Sequence, residues 1–425
     1  LKYMEQVLMR DLFVIADDLT GALDAAVPFA STGAKVEVSL STVGIDDFLI
    51  KDWDVLSVCA GTRHLCAADS ARVVSELSGK AVAAGIPVIL KKTDSGLRGN
   101  VGAELEAMWR KTGSHRLHFI PAFPETGRTM KGGIQYVGDT PVSESMFGSD
   151  PFDPVRHDFV NEIIAEQTSI PTCNIPEGDQ PREDFSGIAV YDSMTQSAVE
   201  LAVRTALQDK APHALAGCGG IAKALVNAMG FFHRSQYISK EGNVLVFCGS
   251  VNPVSLDQVQ CARRAGAPVF FLSSEACNIS DWIDSTEGKE FVSSVCKSWA
   301  THVLTVVSSV DTRDADGDID SSSVDRAVVA KNLGAILGVI VRQYSAKGTV
   351  VAMGGDILLS FLTYLGTRSL FPLGEIAPGV VASHIKIGDS RLELVSKSGG
   401  FGEKSLFLQI AKEKEGKGHI SAGLS

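Results

Sequence analysis

The sequence predicts an α/β protein with two domains, each built on a largely parallel sheet flanked by helices. Short apolar runs alternate with longer helical segments, and small or polar residues follow many of the apolar runs. This alternation is typical of parallel strands, because neighbouring parallel strands need a crossover connection that is usually a helix. The length of 425 residues exceeds what one hydrophobic core usually organises, so we expect two domains.

The first half of the chain shows the clearer alternation. Its apolar runs predict strands at 12–16, 35–40, 55–59, 87–90 and 117–120. Helices are predicted between them, through Ala30, over 67–84 and over 101–109. From Pro121 to about Ser186 the periodicity weakens and Pro, Gly, Asp and Thr accumulate, so we interpret this region as an elaborated loop and linker. Such regions often cover a site beside a rigid sheet, and a surface excursion without function is the alternative.

The alternation resumes at residue 188 and continues to residue 353. The predicted elements are 188–191, 198–208, 213–216, 221–229, 244–248, 257–265, 269–272, 303–308, 324–344 and 350–353. We place the domain boundary after residue 210, which gives domains over 1–210 and 211–425. The polar stretch from Ser235 to Asn243 and a boundary near Gln180 fit almost as well.

The composition limits the partners. A net charge of −11 disfavours a nucleic-acid-binding surface, which needs clustered basic residues. Eight cysteines without a Cys-x-x-Cys pair disfavour a zinc site and favour a reducing cytoplasm. The N-terminus lacks signal-peptide features, and the longest apolar stretch, Leu333 to Val341, is far shorter than the roughly 20 residues that span a bilayer. We therefore expect a cytoplasmic protein with a small-molecule partner and no membrane association.

Charged residues follow several predicted strands of the first half. Asp17 and Asp18 end the first strand, and Arg63 follows the strand at 55–59. Ligands of open α/β sheets bind at the carboxyl ends of strands, so these side chains are candidates for a substrate site. Two alternatives stay open: an Asp here often caps the next helix, and Arg63 could be a solvated surface residue.

The segment from Lys91 to Asn100 is the most informative part of the sequence. It is a predicted strand-to-helix turn that contains Lys91, Lys92, Asp94, Ser95 and Arg98. The cations suit a carboxylate or a transferring phosphate, and Asp94 could orient or deprotonate a hydroxyl. Arg128, in the loop from Pro121 to Thr129, adds a cation near the same sheet edge, although a purely structural turn is the alternative there.

Glycines mark three predicted strand ends in the second half. They lie in the segments 248–253, 353–357 and 397–402. Backbone N–H groups at such ends can converge on the phosphates of one nucleotide. The chain lacks the Walker P-loop, the Gly-x-Gly-x-x-Gly fingerprint after its first strand, the His-Glu-x-x-His zinc motif and the Gly-x-Ser-x-Gly motif. A Walker NTPase, a Rossmann dehydrogenase, a zinc hydrolase and an α/β-hydrolase are therefore disfavoured.

Together these motifs resemble the four-carbon acid sugar kinase family. In chain order they are 15–22, 91–100, 121–129, 249–253, 354–356 and 397–402, so the resemblance extends from residue 12 to about residue 405. Two residues depart from the family pattern. Gly96 stands where a hydroxyl residue is usual, which bears on substrate contacts, and Asp356 stands where Glu is commoner, which bears on nucleotide or metal contacts.

The resemblance implies transfer of the γ-phosphate of ATP to the terminal hydroxyl of a four-carbon sugar acid, with Mg²⁺. It also implies that the N-terminal domain holds the acid, that the C-terminal domain holds ATP, and that the active site lies in the cleft between them. The substrate-binding candidates are Asp17, Asp18, Arg63, Lys91, Lys92, Asp94, Ser95, Arg98 and Arg128. The nucleotide-binding candidates are Ser250, Gly354, Gly355, Asp356, Ile357, Gly399 and Gly400.

We expect Asp94, Asp17 and Arg98 to be the catalytic residues, with one Asp positioning the attacking hydroxyl while cations and Mg²⁺ balance charge. No metal ligand is assigned. The central motif resembles that of threonate and erythronate kinases more than that of 3-oxo-tetronate kinases, which favours D-threonate and the product D-threonate 4-phosphate. The alternatives are a D-erythronate or 3-oxo-tetronate kinase, a noncatalytic sensor of a nucleotide or sugar acid, and a dehydrogenase of similar acids. A homo-oligomer stays open.

Overall fold

A computed structural model describes residues 11–150, 153–231, 242–310, 325–344, 348–388, 390–397 and 400–415. The chain forms two compact units that divide between residues 235 and 236. The predicted two-domain α/β architecture is therefore confirmed. Within the described ranges, no helix combines the length and the apolar character that crossing a membrane requires.

The first unit alternates strands and helices. Its strands are β1 (Leu12–Ala16), β2 (Val36–Ser39), β3 (Val55–Cys59), β4 (Val88–Lys92), β5 (Arg116–Ile120), β6 (Arg128–Lys131), β7 (Ile134–Val137), β8 (Thr140–Pro141), β9 (Thr172–Ile175), β10 (Gly187–Tyr191) and β11 (His213–Gly217). Its helices are α1 (Leu19–Ala30), α2 (Ile45–Leu49), α3 (Ala67–Ala83), α4 (Val101–Thr112), α5 (Val160–Ala165), α6 (Gln196–Ala206) and α7 (Gly219–Ala228).

The main sheet of this unit has the strand order β2-β3-β1-β4-β11-β5-β10-β9. Every pairing that the structure describes in this sheet is parallel. Strand β1 is buried over its whole length, as its uninterrupted apolar sequence predicts for a strand covered on both faces. Helices α3 and α4 pack against each other over the sheet, and their apolar residues join one core with those of β1, β3 and β4.

The region from Pro121 to Ser186 is more ordered than the weak periodicity predicts. It contains the antiparallel sheet β6-β7-β8, helix α5 and strand β9, which pairs with β10. The extended piece at Tyr136-Val137 and the short helix near Asn161 are confirmed. Strands β6 and β9 escaped prediction because they are short and only partly buried, so they carry no apolar run.

Strand β11 places the end of the first unit later than predicted. It lies between β4 and β5 in the first sheet and pairs in parallel with both. A boundary after residue 210 would remove a central strand from that sheet. The sequence could not show that β11 belongs to the first sheet, because the residues of a five-residue strand do not indicate which strands it pairs with.

The second unit also begins with a strand and a helix. Its strands are β12 (Asn243–Cys248), β13 (Val269–Phe271), β14 (Leu304–Ser308), β15 (Gly348–Met353), β16 (Ser369–Ala377), β17 (Val380–Ile387) and β18 (Ser390–Lys397). Its helices are α8 (Pro253–Arg264), α9 (Ser274–Asn278), α10 (Thr286–Thr301), α11 (Arg326–Gln343), α12 (Gly355–Leu365) and α13 (Leu406–Glu415). The predicted buried helix around Leu333 is confirmed as part of α11.

The sheet of the second unit has the order β13-β14-β12-β15-β18-β17-β16. Strands β13, β14, β12, β15 and β18 run parallel to one another, whereas β16, β17 and β18 form an antiparallel meander. Strands β12, β15 and β18 are the ones that matter for the candidate site. They are adjacent and parallel, so their carboxyl ends lie side by side at one edge of the sheet.

Candidate active site

The polar site of the first unit lies at the carboxyl ends of β1 and β4. These strands are adjacent and parallel, and Ala16 is in register with Lys92. The chain leaves β1 towards β2 on one side and leaves β4 towards β5 on the other. Such a reversal of direction opens a crevice, and open α/β sheets bind ligands there. Asp17 and Thr93, the next residues of the two strands, stand at this crevice.

Arg63 joins three carboxylates at the crevice. Its Nε donates to Asp17 Oδ2 at 2.8 Å, its Nη1 lies 2.6 Å from Asp18 Oδ2, and its Nη2 lies 3.5 Å from Asp94 Oδ1. Burial alone would raise the pKa of Asp17, but the charges of Arg63 and Lys91 outweigh it and the pKa is lowered. Asp17 is therefore an ionised carboxylate at neutral pH.

Asp18 has a different role from its neighbour. Its Oδ1 accepts the backbone N–H of Gly21 at 2.6 Å, so it caps helix α1. Burial and the charge of Asp17 raise its pKa, in spite of Arg63. The capping role left open by the sequence thus applies to Asp18, while Asp17 faces the crevice.

Both carboxylate oxygens of Asp94 accept hydrogen bonds from donors of its own turn. Arg98 Nε donates to Asp94 Oδ2 and Arg98 Nη2 donates to Asp94 Oδ1, each at 2.9 Å. The backbone N–H of Gly96 also donates to Oδ2, at 3.1 Å. Burial opposes ionisation, yet Arg63 and Arg98 hold the pKa of Asp94 well below its usual range. This carboxylate is a strong anchor for arginine and a very weak base.

The two lysines of the turn are engaged differently. Lys91 is completely buried and its Nζ lies 2.9 Å from Glu104 Oε2 on α4, so its position gives no support for contact with a substrate. Lys92 Nζ donates to the carbonyl of Thr93 at 2.8 Å, and although burial opposes its charge, Asp24 and Asp17 raise its pKa. Sequence reasoning missed Glu104, whose only signal was an acidic residue in the first turn of a helix that follows the motif.

The structure also adds two residues from the loop before Asp153. Asp150 Oδ2 accepts from Arg98 Nη1 at 2.9 Å. The ring of Phe147 lies under the guanidinium groups of Arg98 and Arg128, at 5.1 and 5.6 Å from its centroid. Nothing in the sequence marked these loop positions. Ser95, in the middle of the turn, is half-buried.

Three buried polar atoms of this site have no hydrogen-bond partner within the described residues: Asp17 Oδ1, Thr93 Oγ1 and Arg128 Nε. Buried polar groups without partners are costly, so such atoms usually contact a ligand or water. The three atoms offer an acceptor, a hydroxyl and a cationic donor. A hydroxylated carboxylic acid would satisfy all of them.

The glycine-bearing strand ends of the second unit lie together, as predicted. Ser250 follows β12, Gly354 has φ +102° after β15, and Gly355 begins α12. A Cβ on Gly400, beyond β18, would lie 3.8 Å from Asn252 Nδ2 at the start of α8. Gly399 lies outside the described residues. Adjacent helix N-termini with small residues leave backbone N–H groups accessible to phosphate.

Two other residues of this edge are buried. Ile357 packs over Gly249, since a Cβ on Gly249 would lie 1.9 Å from Ile357 Cδ1, so Ile357 supports the loop from below. Lys397, the last residue of β18, is only 3% exposed, and burial lowers its pKa to about 8. Its Nζ donates to Ser255 Oγ on α8 at 3.4 Å. Asp356 is exposed in the first turn of α12.

A resident metal centre is not evident in the ranges that the structure describes, where no group of three His, Cys, Asp or Glu residues could hold an ion. Mg²⁺ in kinases is usually held by one or two carboxylates together with nucleotide phosphates. The exposed Asp356 at the glycine-bearing edge fits that mode.

The structure is a two-domain α/β protein with clustered charged residues at the strand ends of one unit and glycine-bearing strand ends in the other. Residues 12–225 match the family model for a sugar-binding N-terminal domain, and residues 245–407 match that for a nucleotide-binding C-terminal domain. The chain belongs to the four-carbon acid sugar kinase family. It is a phosphotransferase with an alcohol group as acceptor, and its reaction depends on ATP.

Curated relatives extend over nearly the whole chain. A D-threonate kinase of Bordetella bronchiseptica is 29% identical over 94% of this chain and 96% of its own length. A D-threonate kinase of Salmonella typhimurium is 28% identical over 93% and 96%. Relatives named D-erythronate kinase and 3-oxo-tetronate kinase are 24% and 26% identical. A solved chain from Salmonella typhimurium LT2, 19% identical, shares the fold with a TM-score of 0.78 over 95% of this chain and 99% of its own.

Proposed function

We propose that this kinase phosphorylates the terminal hydroxyl of D-threonate to give D-threonate 4-phosphate. Two relatives that cover nearly the whole chain, at 29% and 28% identity, are named D-threonate kinases. The central observation is the unpartnered Asp17 Oδ1, a buried carboxylate oxygen among cations at the switch point of the sheet. It can accept a hydrogen bond from a substrate hydroxyl.

Asp17 is the better candidate for orienting the attacking hydroxyl and taking its proton. A general base needs an oxygen that can reach the substrate hydroxyl, and it works best when its pKa lies close to the operating pH. Both oxygens of Asp94 are occupied by Arg98, and its pKa is far below the usual range. Asp17 keeps one oxygen available after Arg63 has bound the other. We therefore propose Asp17 rather than Asp94 as the general base, because one of its oxygens is available.

Asp94 then serves to position the cations. It fixes Arg98 by a two-pronged contact and also lies near Arg63. Phosphoryl transfer needs charge stabilisation at a fixed place more than it needs covalent chemistry, so a preorganised guanidinium lowers the barrier. Lys92 and Arg128 add positive charge near the carboxylate of the acid, while Ser95 is available to its hydroxyls.

The nucleotide is assigned to the second unit. Ser250, Gly354, Gly355 and Gly400 would surround its phosphates with backbone N–H groups, with Ile357 supporting them. Gly399 is a proposed contact on sequence grounds. Mg²⁺, with Asp356 as a carboxylate ligand, would neutralise phosphate charge when it is bound. The prediction that the reaction takes place in the cleft between the domains remains a prediction.

The test is ADP release with Mg²⁺, ATP and a panel of D-threonate, L-threonate, D-erythronate, L-erythronate and 3-oxo-tetronate. We expect the highest kcat/KM for D-threonate, with the product identified as the 4-phosphate by ³¹P and ¹³C NMR. A higher kcat/KM for D-erythronate or 3-oxo-tetronate would replace the substrate and keep the reaction. Absence of ADP release with all five acids would overturn the proposed substrate class.

A further inference from the structure

Phe147 lies where a side chain on residue 96 would otherwise be. Its ring is 6% exposed, and a Cβ on Gly96 would lie 2.4 Å from two of its ring carbons. Real side chains essentially never approach so closely, so a residue larger than glycine at 96 requires the ring to move. Gly96 follows directly after Asp94-Ser95. The ring therefore borders the turn that holds the proposed acid-binding residues.

The same ring also contacts the guanidinium groups of two of the three arginines of the site. The guanidinium carbon of Arg98 lies 5.1 Å from its centroid and that of Arg128 lies 5.6 Å from it. A cation over an aromatic face is attracted by the ring quadrupole, and the contact restricts the orientation of the guanidinium. Phe147 is thus a common support for both groups.

The charges of the two arginines are used differently. Arg98 is paired with Asp94 and Asp150. Arg128 forms no ion pair within the described ranges: its Nη1 donates to the carbonyl of Thr126 and its buried Nε has no partner there. A partly buried guanidinium without a carboxylate is suited to bind one from a ligand. Arg128 is therefore the candidate for the carboxylate of the acid.

We infer that Phe147 sets the substrate size: its ring closes the acid site beside Gly96 and fixes the orientation of Arg128, so that the site takes a short acid. This inference rests on the proposed function and deepens it. A longer acid, bound by Arg128 at one end, would have to place its additional carbon in the volume of the ring. Removing the ring should open that volume and loosen Arg128.

The experiment compares the wild type with Phe147→Ala and Phe147→Leu on D-threonate and on linear five- and six-carbon aldonic acids. For Phe147→Ala we expect kcat/KM on D-threonate to fall at least about tenfold, mainly through KM, and the ratio of longer acid to D-threonate to rise by about 10 to 200-fold. Phe147→Leu should lie between. Phe48→Leu is the matched control, because Phe48 is 2% exposed and also has a cation, Lys51 Nζ, 4.0 Å from its ring centroid.

A second pair of variants keeps the test informative if Phe147→Ala folds poorly. Gly96→Ala alone should reduce kcat/KM on D-threonate at least about tenfold, because the new methyl group collides with the ring. Combined with Phe147→Ala it should cost much less than the sum of the two single changes, as expected for contacting residues. Independent effects of the two changes would show that the contact does not shape the site.

The outcomes separate this inference from the proposed function. If the wild type phosphorylates D-threonate but Phe147→Ala keeps the wild-type preference among acids, Phe147 does not set substrate size. If the wild type phosphorylates no acid of the panel and no acid raises its melting temperature, both ideas fail. If acids raise the melting temperature without turnover, the shifts given by D-threonate and by the longer acids are compared in the wild type and in Phe147→Ala. An unchanged preference would overturn the role of Phe147, and a shift towards longer acids would support it.

Discussion

At the scale of single residues, the structure distinguishes carboxylates that the sequence presents as equivalent. Asp17, Asp18 and Asp94 all follow strands of one sheet, yet one faces the crevice, one caps a helix and one binds arginine. The distinction comes from which donors surround each oxygen. Two variants test it directly.

Asp17→Asn should lower kcat on the acid by about 10² to 10⁴-fold, the usual contribution of a general base, with little change in the Kd of ATP. Asp94→Asn should instead raise the KM of the acid and lower the melting temperature, because Arg98 loses a buried two-pronged partner. Steady-state kinetics, ATP titration calorimetry and thermal melting of both variants make the comparison. Near-normal kcat in Asp17→Asn would remove it from the mechanism.

The buried ion pair of Lys91 and Glu104 should serve stability. Glu104→Gln leaves the completely buried Lys91 without its carboxylate, which we expect to cost about 3 to 5 kcal/mol of unfolding free energy. The control is Glu106→Gln on the same helix, which breaks an exposed pair with Arg110 and should cost less than about 1 kcal/mol. Urea unfolding measures both. Equal effects of the two substitutions would contradict a structural role for the buried pair.

We expect Lys397 to make nucleotide binding dependent on pH. Its pKa is lowered to about 8 by burial, so its protonated fraction falls about tenfold between pH 7 and pH 9. If its charge attracts phosphate, the Kd of ATP should rise across that range in the wild type and stay nearly flat in Lys397→Met. Calorimetry at fixed ionic strength is the measurement. The same pH dependence in both proteins would exclude Lys397.

The pH dependence that Lys397 gives to folding stability is opposite in sign to the one expected for ATP affinity. Between pH 8 and the ordinary pKa of 10.5 the unfolded chain binds more protons at Lys397 than the folded chain does. Stability from this residue therefore rises as pH increases through that window. Below pH 8 the lysine is charged in both states, and the cost of burying the charge is fully present.

At the scale of elements, the proposed binding residues lie at strand ends and helix starts. Three parallel strands of the second unit end side by side, and their loops approach because glycines replace larger residues there. The first unit uses charged residues at the equivalent edge. A close approach between a strand end and a helix is therefore a sensitive place to test.

Gly249→Ala should destabilise the second unit and weaken ATP binding, because the added methyl group would lie 1.9 Å from Ile357 Cδ1. Overpacking of this kind typically costs about 1 to 3 kcal/mol. The control for stability is Gly400→Ala, where the nearest atom would be 3.8 Å away. Thermal melting compares the two variants, and ATP titration compares Gly249→Ala with the wild type. The interpretation fails if Gly249→Ala melts like the wild type.

At the scale of the whole molecule, the proposed function assigns the acid to the first unit and the nucleotide to the second. This separation predicts the pattern of hydrogen exchange on ligand binding. D-Threonate should slow exchange in residues 93–98, whereas ATP should slow it in residues 249–254 and 354–357. Mass spectrometry of peptides from the full chain would show this, with L-lactate, which shares only the carboxylate and one hydroxyl, as the control. Protection of the opposite set by each ligand would reverse the assignment.

Much of the fold follows from the sequence because strands buried on both faces are continuous apolar runs. Strands β1, β3, β12 and β15 are such runs, and their bounds agree with prediction to within about two residues. The partly exposed strands β6 and β9 and the membership of β11 in the first sheet did not follow. Their pairing depends on contacts between distant segments, which local periodicity does not record.

The part of the candidate site that directly follows predicted strands was predictable from the sequence. Asp17, Arg63, Lys92, Asp94 and Arg98 follow strands, so their convergence at one edge follows from a parallel sheet. The supporting residues lie elsewhere in the chain. Glu104, Phe147 and Asp150 are brought to the site only by the packing of α4 and of the loop before Asp153.

The sequence by itself determined the two-domain α/β class, the family and the set of charged and glycine-bearing turns, because these depend on residue type and order. Only the tertiary structure decided which carboxylate is available and which is occupied, since hydrogen-bond partners and burial arise from residues far apart in the chain. The same holds for Phe147 and Gly96. The Phe147 ring occupies the space that a side chain on residue 96 would need, and this contact arises only when the two segments pack together.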